Sequence, residues 1–483
     1  MSSDIGKSDS EHGPESDGEN YMSARIQDEL SDPLDRQVYA EVQRKFGDAQ
    51  IVYFSRHVRW RPSWDVVIRR EGDNARVIVR AEKGKNYVSP VTLRQEAGIH
   101  EVLERHGIPV PHVHCMLDEP LAIVMDVIPG QINLDTADSD AARDSIRAQY
   151  IEVLADMHRI PLSEFAELGL PVPKNASEIA LNLYAACERI YRQRMNGRPF
   201  PLMDFIWSWV RRNAPQYRAR MGFVSADAGQ FLFEGDRLTG LIDFEVGYIG
   251  DPLAEFAGMR LRDSTEPLGD IGSMMDHYEA LTGDVLDNFS IEYHTAGFCG
   301  VNGFLLWPLA FDPDTRDDFI AYLSFSVGTS RWAITAIAAA LGIELGNAEA
   351  PQPAALGYPA AATHLIGAIG ELQGRGPLAD YELDKALSLA RYQERSNTYG
   401  RAINAANLAD ISRLLHRVFV SVEEAEEALV VFIADAKGEH DSALANYFHR
   451  WLGRQDFLLR DCGSSSFLTG LDLQKIAPRH MRS

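Results

Sequence analysis

Two acids and an amide, set around a short turn, carry the most suggestive chemistry in this sequence. Asp227 sits in the polar stretch Ser225-Ala-Asp227-Ala-Gly-Gln230. The apolar run Phe231–Phe233 follows, then the turn Glu234-Gly-Asp-Arg237, a second apolar run Leu238–Ile242, and Asp243 at its end. Two runs joined by a Gly-containing turn read as a hairpin. Such a hairpin can bring Asp227 or Gln230 close to Asp243 and so present two oxygen donors to one cavity. Sparse, oxygen-only ligation of that kind suits Mg²⁺ held with phosphate oxygens. Taken alone, the same residues also read as a surface hairpin with an ordinary capping Asp.

The wider pattern favours the chemical reading. Leu-Ile-Asp243-Phe-Glu245 is followed by Ile249-Gly-Asp251-Pro252, and Gln230 lies thirteen positions before Asp243. This arrangement resembles the catalytic core of the aminoglycoside/choline kinase-like phosphotransferases, relatives of protein kinases. There a His-Gly-Asp, an Asn, a hairpin, an Ile-Asp-Trp/Phe and a Gly-Asp-Pro follow one another. The resemblance runs backward through Val77-Ile-Val-Arg80, Glu96 in Leu93-Arg-Gln-Glu96-Ala, Gly107-Ile-Pro-Val-Pro111 and Val124-Met-Asp126-Val-Ile128-Pro-Gly130. It covers roughly residues 45–342.

The resemblance implies a role for each matching residue. Arg80 would hold the nucleotide phosphates and Glu96 would fix Arg80. Asp126 to Ile128 would form the hinge that takes adenine by backbone hydrogen bonds. Asp243 and Gln230 would ligate Mg²⁺, and Asp227 would be the base that orients the attacking hydroxyl. The cofactors implied are ATP and Mg²⁺, and the acceptor is a small-molecule alcohol. Asp251, between Gly and Pro, reads instead as a helix-start residue.

Three departures mark the pattern. The His-Gly-Asp is absent: without a gap Ser225 stands at the acid's position, and Asp227 lies two residues downstream. Asp227 is nevertheless the carboxylate between Asp204 and Glu234. Gln230 replaces Asn, and the stretch Tyr53–Trp64 contains no Gly where the phosphate loop belongs. These departures support a second reading, a pseudokinase-like protein that binds a nucleotide or metabolite and contacts a partner enzyme without turnover.

The elements that must position these residues follow from periodicity and turn signals. Trp64–Arg70 and Arg76–Glu82, separated by Glu71-Gly-Asp-Asn74, predict a hairpin; 92–106 predicts a helix stopped by Gly107; Leu121–Val127 predicts a strand. The fold class expected is α+β: a bilobal protein-kinase-like fold with an extra all-helical C-terminal domain. The expected division is a disordered acidic tail (1–34), a nucleotide-binding N-lobe (35–130), a helical C-lobe carrying the catalytic hairpin (131–345), a Pro-rich linker (346–361) and a helical domain (362–483). Ser421-x-x-Glu424 predicts a capping box in that domain. Its helices could cap the acceptor pocket or serve a homo-oligomer or a partner enzyme.

Composition bounds the alternatives. The chain has 483 residues, 45% hydrophobic and 24% charged, with a formal net charge of −23. A general nucleic-acid or anionic-membrane binder carries the opposite sign, so neither partner is expected. Four scattered cysteines give no disulfide or zinc spacing, and no apolar run reaches membrane-spanning length. A soluble, cytoplasmic protein is expected. Residues 56–85 hold nine basic residues against four acids, which reads as a local positive field for an anionic ligand.

Overall fold

A computed structural model describes residues 30, 32–57, 61–83, 87–315, 317–353, 359–374 and 376–480. Most of the acidic tail and part of the linker therefore lie outside the described residues. The chain divides into two compact units: the described residues of Met1–Leu170 together with Gln230–Gly247, and those of Pro171–Gly229 together with Tyr248–Ser483.

The first unit begins with helix α1 (Pro33–Phe46), two residues earlier than the sequence suggests, because Asp32 caps it by accepting from Leu34 N at 2.7 Å and Pro33 fits the first turn. A five-stranded antiparallel sheet follows, in the order β1 (Gln50–Arg56), β2 (Ser63–Arg70), β3 (Asp73–Ala81), β5 (Leu121–Asp126), β4 (Val113–Asp118). Helix α2 (Leu93–Arg105) lies between β3 and β4 in the chain, with Thr92 and Gln95 forming a reciprocal capping box. Strand alternation sorts the side chains onto two faces. Val77, Val79, Ala122 and Val124 join Val38 and Val42 of α1 in one core. Ile123 and Met125 join Leu93 and Ala97 of α2 in another, with Ile78 packed against it.

Helices α3 (Asp140–Met157) and α4 (Leu162–Glu167) complete this unit together with the hairpin β7 (Phe231–Glu234) and β8 (Arg237–Leu241). The hairpin is tied down by Leu241 N donating to Pro109 O at 2.8 Å and by a bridge between Gln131 and Phe233. Gly130, with φ of +123°, lies so close to Phe233 that a Cβ there would meet its backbone.

The second unit is helical, with a two-stranded ribbon of β6 (Gly222–Val224) and β9 (Tyr248–Gly250). Its helices are α5 (Ala176–Met195), α6 (Pro201–Arg212), α7 (Ala254–Asp263), α8 (Ile271–Thr282), α9 (Asn288–Phe311) and α10 (Phe319–Leu341). α9 and α10 are buried over most of their surfaces. Beyond them come α11 (Pro359–Gly370), α12 (Pro377–Leu414), α13 (Val422–Asp435) and α14 (Asp441–Leu459). Ser421 caps α13 by accepting from Glu424 N at 3.2 Å, and the Glu424 carboxylate accepts from Val420 N. The α+β class, the sheet-rich N-terminal part and the helical C-terminal extension are as expected. Among the described residues no helix is long and apolar enough to cross a membrane.

Candidate active site

In the first unit, register places the key cation. Arg80 follows Val79 on β3, so it points to the α2 side of the sheet, where Glu96 occupies the first turn of the helix. The Arg80 guanidinium is buried and bridges the carboxylates of Glu96 and Asp243. Two further cations join them. Arg61 donates to Glu245 Oε2 at 2.6 Å and lies 3.6 Å from Glu96, and Lys83 pairs with the other Glu245 oxygen. Arg61, Arg80 and Lys83 thus interlock with Glu96, Asp243 and Glu245.

Charge dictates the protonation of this cluster. Burial alone would raise the Asp243 pKa, but Arg80, Lys83 and Arg61 overcome it and hold the carboxyl well below the usual range. Burial opposes the charge on Arg80, yet Asp243, Glu96 and Glu245 raise its pKa above the ordinary value. Lys83 goes the other way: burial lowers it despite Glu245. Asp243 itself has φ of +69°, a left-handed conformation that a non-glycine residue adopts at a cost, as happens often at functional sites. Ile242 N donates to Gln230 O at 3.1 Å, so the residue before Asp243 is tied to Gln230. His100, one turn beyond Glu96, packs edge-on against Phe244 with ring centroids 5.1 Å apart. Its pKa is pushed down to about 3 by burial and then by Arg80.

At the hinge, Asp126 N donates to His112 O at 2.9 Å and its side chain lies 2.6 Å from His114 Nε2. Ile128 packs against Gly240, where a Cβ would overlap it.

The second unit holds the loop with Asp227. Ser225 is buried and gives both its N–H (2.7 Å) and its hydroxyl (2.6 Å) to the carboxylate of Glu255 on α7. Ala226 then turns left-handed at φ of +66°, and Asp227 Oδ2 accepts from Arg262 of the same helix at 2.8 Å. Ser225 is therefore committed to packing, and Asp227 is the partly exposed carboxylate of the loop. Glu255, Gly258 and Arg262 occupy positions i, i+3 and i+7 of α7, one helix face. A Cβ on Gly258 would overlap Ala226 O and come within 2.7 Å of Ala228 N. Asp251 behaves as a structural residue: its buried carboxylate accepts from Leu253 N at 3.0 Å and from Arg218.

The positive field expected over residues 56–85 is largely neutralised. Besides the cations above, Arg56 lies 3.3 Å from Asp32, Arg76 pairs with Asp65, and Arg70 lies 3.2 Å from Asp48. Asp65 lies within that stretch, but Asp32, Asp48, Glu96, Asp243 and Glu245 lie outside it, so a local charge count could not see them. Arg59 and Lys85 lie outside the described residues.

Most of these features, though not Arg61, lie within one stretch that matches a known family. Residues 62–284 match the phosphotransferase enzyme family, APH. The resemblance read in the motifs is to this family, and Arg80, Glu96, Asp126, Ile128, Asp227, Gln230 and Asp243 all fall inside the matched APH stretch. The chain is similar to a crystal structure of a putative aminoglycoside phosphotransferase from Ralstonia eutropha JMP134, at 15% identity over 64% of this chain and 99% of that one, with a TM-score of 0.47. It is also similar to a thermostable mutant of aminoglycoside phosphotransferase APH(4)-Ia in ternary complex with ADP and hygromycin B, at 12% identity over 63% and 98%, TM-score 0.44. A third similar structure is macrolide 2'-phosphotransferase MphH from Brachybacterium faecium, at 12% identity over 58% and 100%, TM-score 0.40. No curated protein matches the chain.

Proposed function

We propose that this protein transfers the γ-phosphoryl group of ATP to a hydroxyl of a small molecule. The observation that carries the reading is Arg80, buried on a strand of the APH stretch between a helix carboxylate and the ionised carboxylate of Asp243. Glu96 aims the Arg80 fork, and the forked, permanently charged guanidinium suits phosphate oxygens. At the hinge, the Ile128 N–H makes no backbone hydrogen bond among the described residues, which supports its use for adenine.

The donor set fits Mg²⁺. Asp243 would offer it an anionic oxygen and Gln230 an amide oxygen, a sparse oxygen set of the kind magnesium takes, and the Ile242–Gln230 hydrogen bond ties the two segments. When bound, the ion supplies neutralisation of the phosphate charge. Asp227 takes the proton as the acceptor's O–H bond breaks, a new P–O bond forms to the acceptor, and the bond to the departing ADP oxygen breaks. Arg262 orients the Asp227 carboxylate for that task. The assembled Arg80–Glu96–Asp243 set gives phosphoryl transfer more support than binding without turnover.

Titration calorimetry with ATP, with and without Mg²⁺, tests the reading. Mg²⁺-dependent binding is expected in the wild type. Asp243→Asn should lose the Mg²⁺ dependence, and Arg80→Ala should weaken ATP by roughly tenfold or more, the scale of a lost charge-assisted contact. No ATP binding by folded wild-type protein would overturn it.

A further inference from the structure

The extended C-terminal segment, residues 471–480, lies far outside the APH stretch yet grips part of it. Trp332 Nε1 donates to Leu471 O at 2.9 Å, which anchors the start of the segment on α10; the exposed Asp472 lies 3.0 Å from Arg331, a surface pair that adds little. Gln474 then reaches four places. Its carbonyl oxygen accepts from Arg260 of α7 at 3.2 and 3.1 Å. Its side-chain amide donates to Asp263 Oδ2 at 3.0 Å and to Gly269 O at 2.6 Å, and its side-chain oxygen accepts from Ile271 N at 2.9 Å. Arg479 finishes the hold, donating to Gly272 O at 3.0 Å and Leu286 O at 3.2 Å and pairing with Asp276 and Glu279 at 2.7 and 2.9 Å.

The gripped segment, from the end of α7 to the start of α8, is the one that packs on the Asp227 loop. Arg262 donates to Asp227, and the Cβ of any larger residue at Gly229 would sit 2.9 Å from Leu268 Cδ1 and 3.2 Å from Arg262 Cγ. The Leu268 N–H is itself held by Asp263 at 2.7 Å, the residue Gln474 also holds. Gln474 thus fixes both Asp263 and Gly269, on either side of Leu268.

We propose that residues 471–480 are a strap that positions the Asp227 loop, with Gln474 as its central positioning residue acting through Asp263, Leu268 and Arg262. Its catalytic consequence rests on the phosphotransferase reading; its mechanical consequence does not. The strap explains how a C-terminal extension outside the family stretch governs the stretch's chemistry.

Hydrogen–deuterium exchange on the full chain tests it, comparing the wild type with Gln474→Ala, with Asp263→Asn, which attacks the same contact from the helix side, and with the exposed strap control Asp472→Ala. Exchange should rise about tenfold in 263–271 and in 222–229 for the first two variants, the effect of one or two lost hydrogen bonds on a local opening equilibrium, and stay unchanged for Asp472→Ala. In turnover assays kcat should fall about tenfold while the ATP Kd holds, a split that general destabilisation would not produce. Loosening of 263–271 with no change in 222–229 would overturn the strap, as would equal losses in kcat and ATP affinity. If the wild type fails to bind ATP, the phosphotransferase reading falls, and the exchange pattern still decides the strap.

Discussion

Arg80 and Asp243 form an ion pair, the guanidinium buried and the carboxylate partly exposed, in which each is the strongest opposite charge acting on the other. The pair joins a strand to the loop after β8 across 163 positions of sequence, and Glu96 shares the same guanidinium.

Removing one member leaves the others uncompensated. Arg80→Ala should destabilise the protein by about 3–5 kcal/mol, the cost of breaking a buried pair from one side. Arg80→Lys, which keeps the charge and loses the fork, should cost less. Urea denaturation at neutral pH measures both, with an unchanged m-value as the sign that only stability moved.

Stability should fall as pH is lowered below about 6.5. The folded-state pKa of His100 lies at about 3, below its unfolded value of 6.5, so between those limits the unfolded chain binds the extra proton. The stabilisation is present above 6.5 and is lost as pH falls toward 3, with a slope of at most about 1.4 kcal/mol per pH unit. Asp243, also depressed, adds to the loss below the ordinary carboxylate range. The groups acting on the ring are Arg80, Asp243 and Glu104, with the Phe244 ring packed perpendicular to it. His100→Leu should flatten the slope between pH 6.5 and 4, read from denaturation midpoints across that range.

Gly258→Ala should destabilise, against the usual sign. In an exposed helix interior that change gains about 1 kcal/mol. Here the new methyl meets the Ala226 carbonyl and the Ala228 amide, so the loop must move. A lower Tm with a larger loss in turnover than in ATP affinity is expected, and a stabilised, fully active variant would contradict the packing.

Ser225→Ala should cost about 1.5–3 kcal/mol, the worth of a hydrogen bond to a charged group, because it strips a donor from the fully buried Glu255 carboxylate. Thermal unfolding of Ser225→Ala beside Ser225→Thr, which keeps the hydroxyl, isolates the bond.

Elements announced by local chemistry were legible in the sequence. The hairpin β2–β3 has its Glu71-Gly72 turn, α2 its Thr92 cap and Gly107 stop, and β7–β8 its Glu-Gly-Asp-Arg turn. β1 was not, because a register shift between Ile51 and Tyr53 breaks its alternation and buries the neighbours Ile51 and Val52 together. β4 is an edge strand in which Leu117 alone is fully buried, so it carries little apolar pattern. Within the site, motif spacing marked Arg80, Glu96 and Asp243. The roles of Glu245, Glu255 and Arg262 come from contacts across tens of residues, which no local window contains. The i, i+3, i+7 spacing of Glu255, Gly258 and Arg262 was the one signal of a shared face.

Mg²⁺-dependent ATP turnover by the wild type and Asp227→Asn, assayed with a panel of small alcohols and beside an ATP Kd for each protein, tests the central claim most directly. Turnover should be present in the wild type and collapse by about 10²-fold or more in Asp227→Asn while ATP binding is retained. Undiminished turnover in that variant, or the absence of nucleotide binding in the folded wild type, would contradict it.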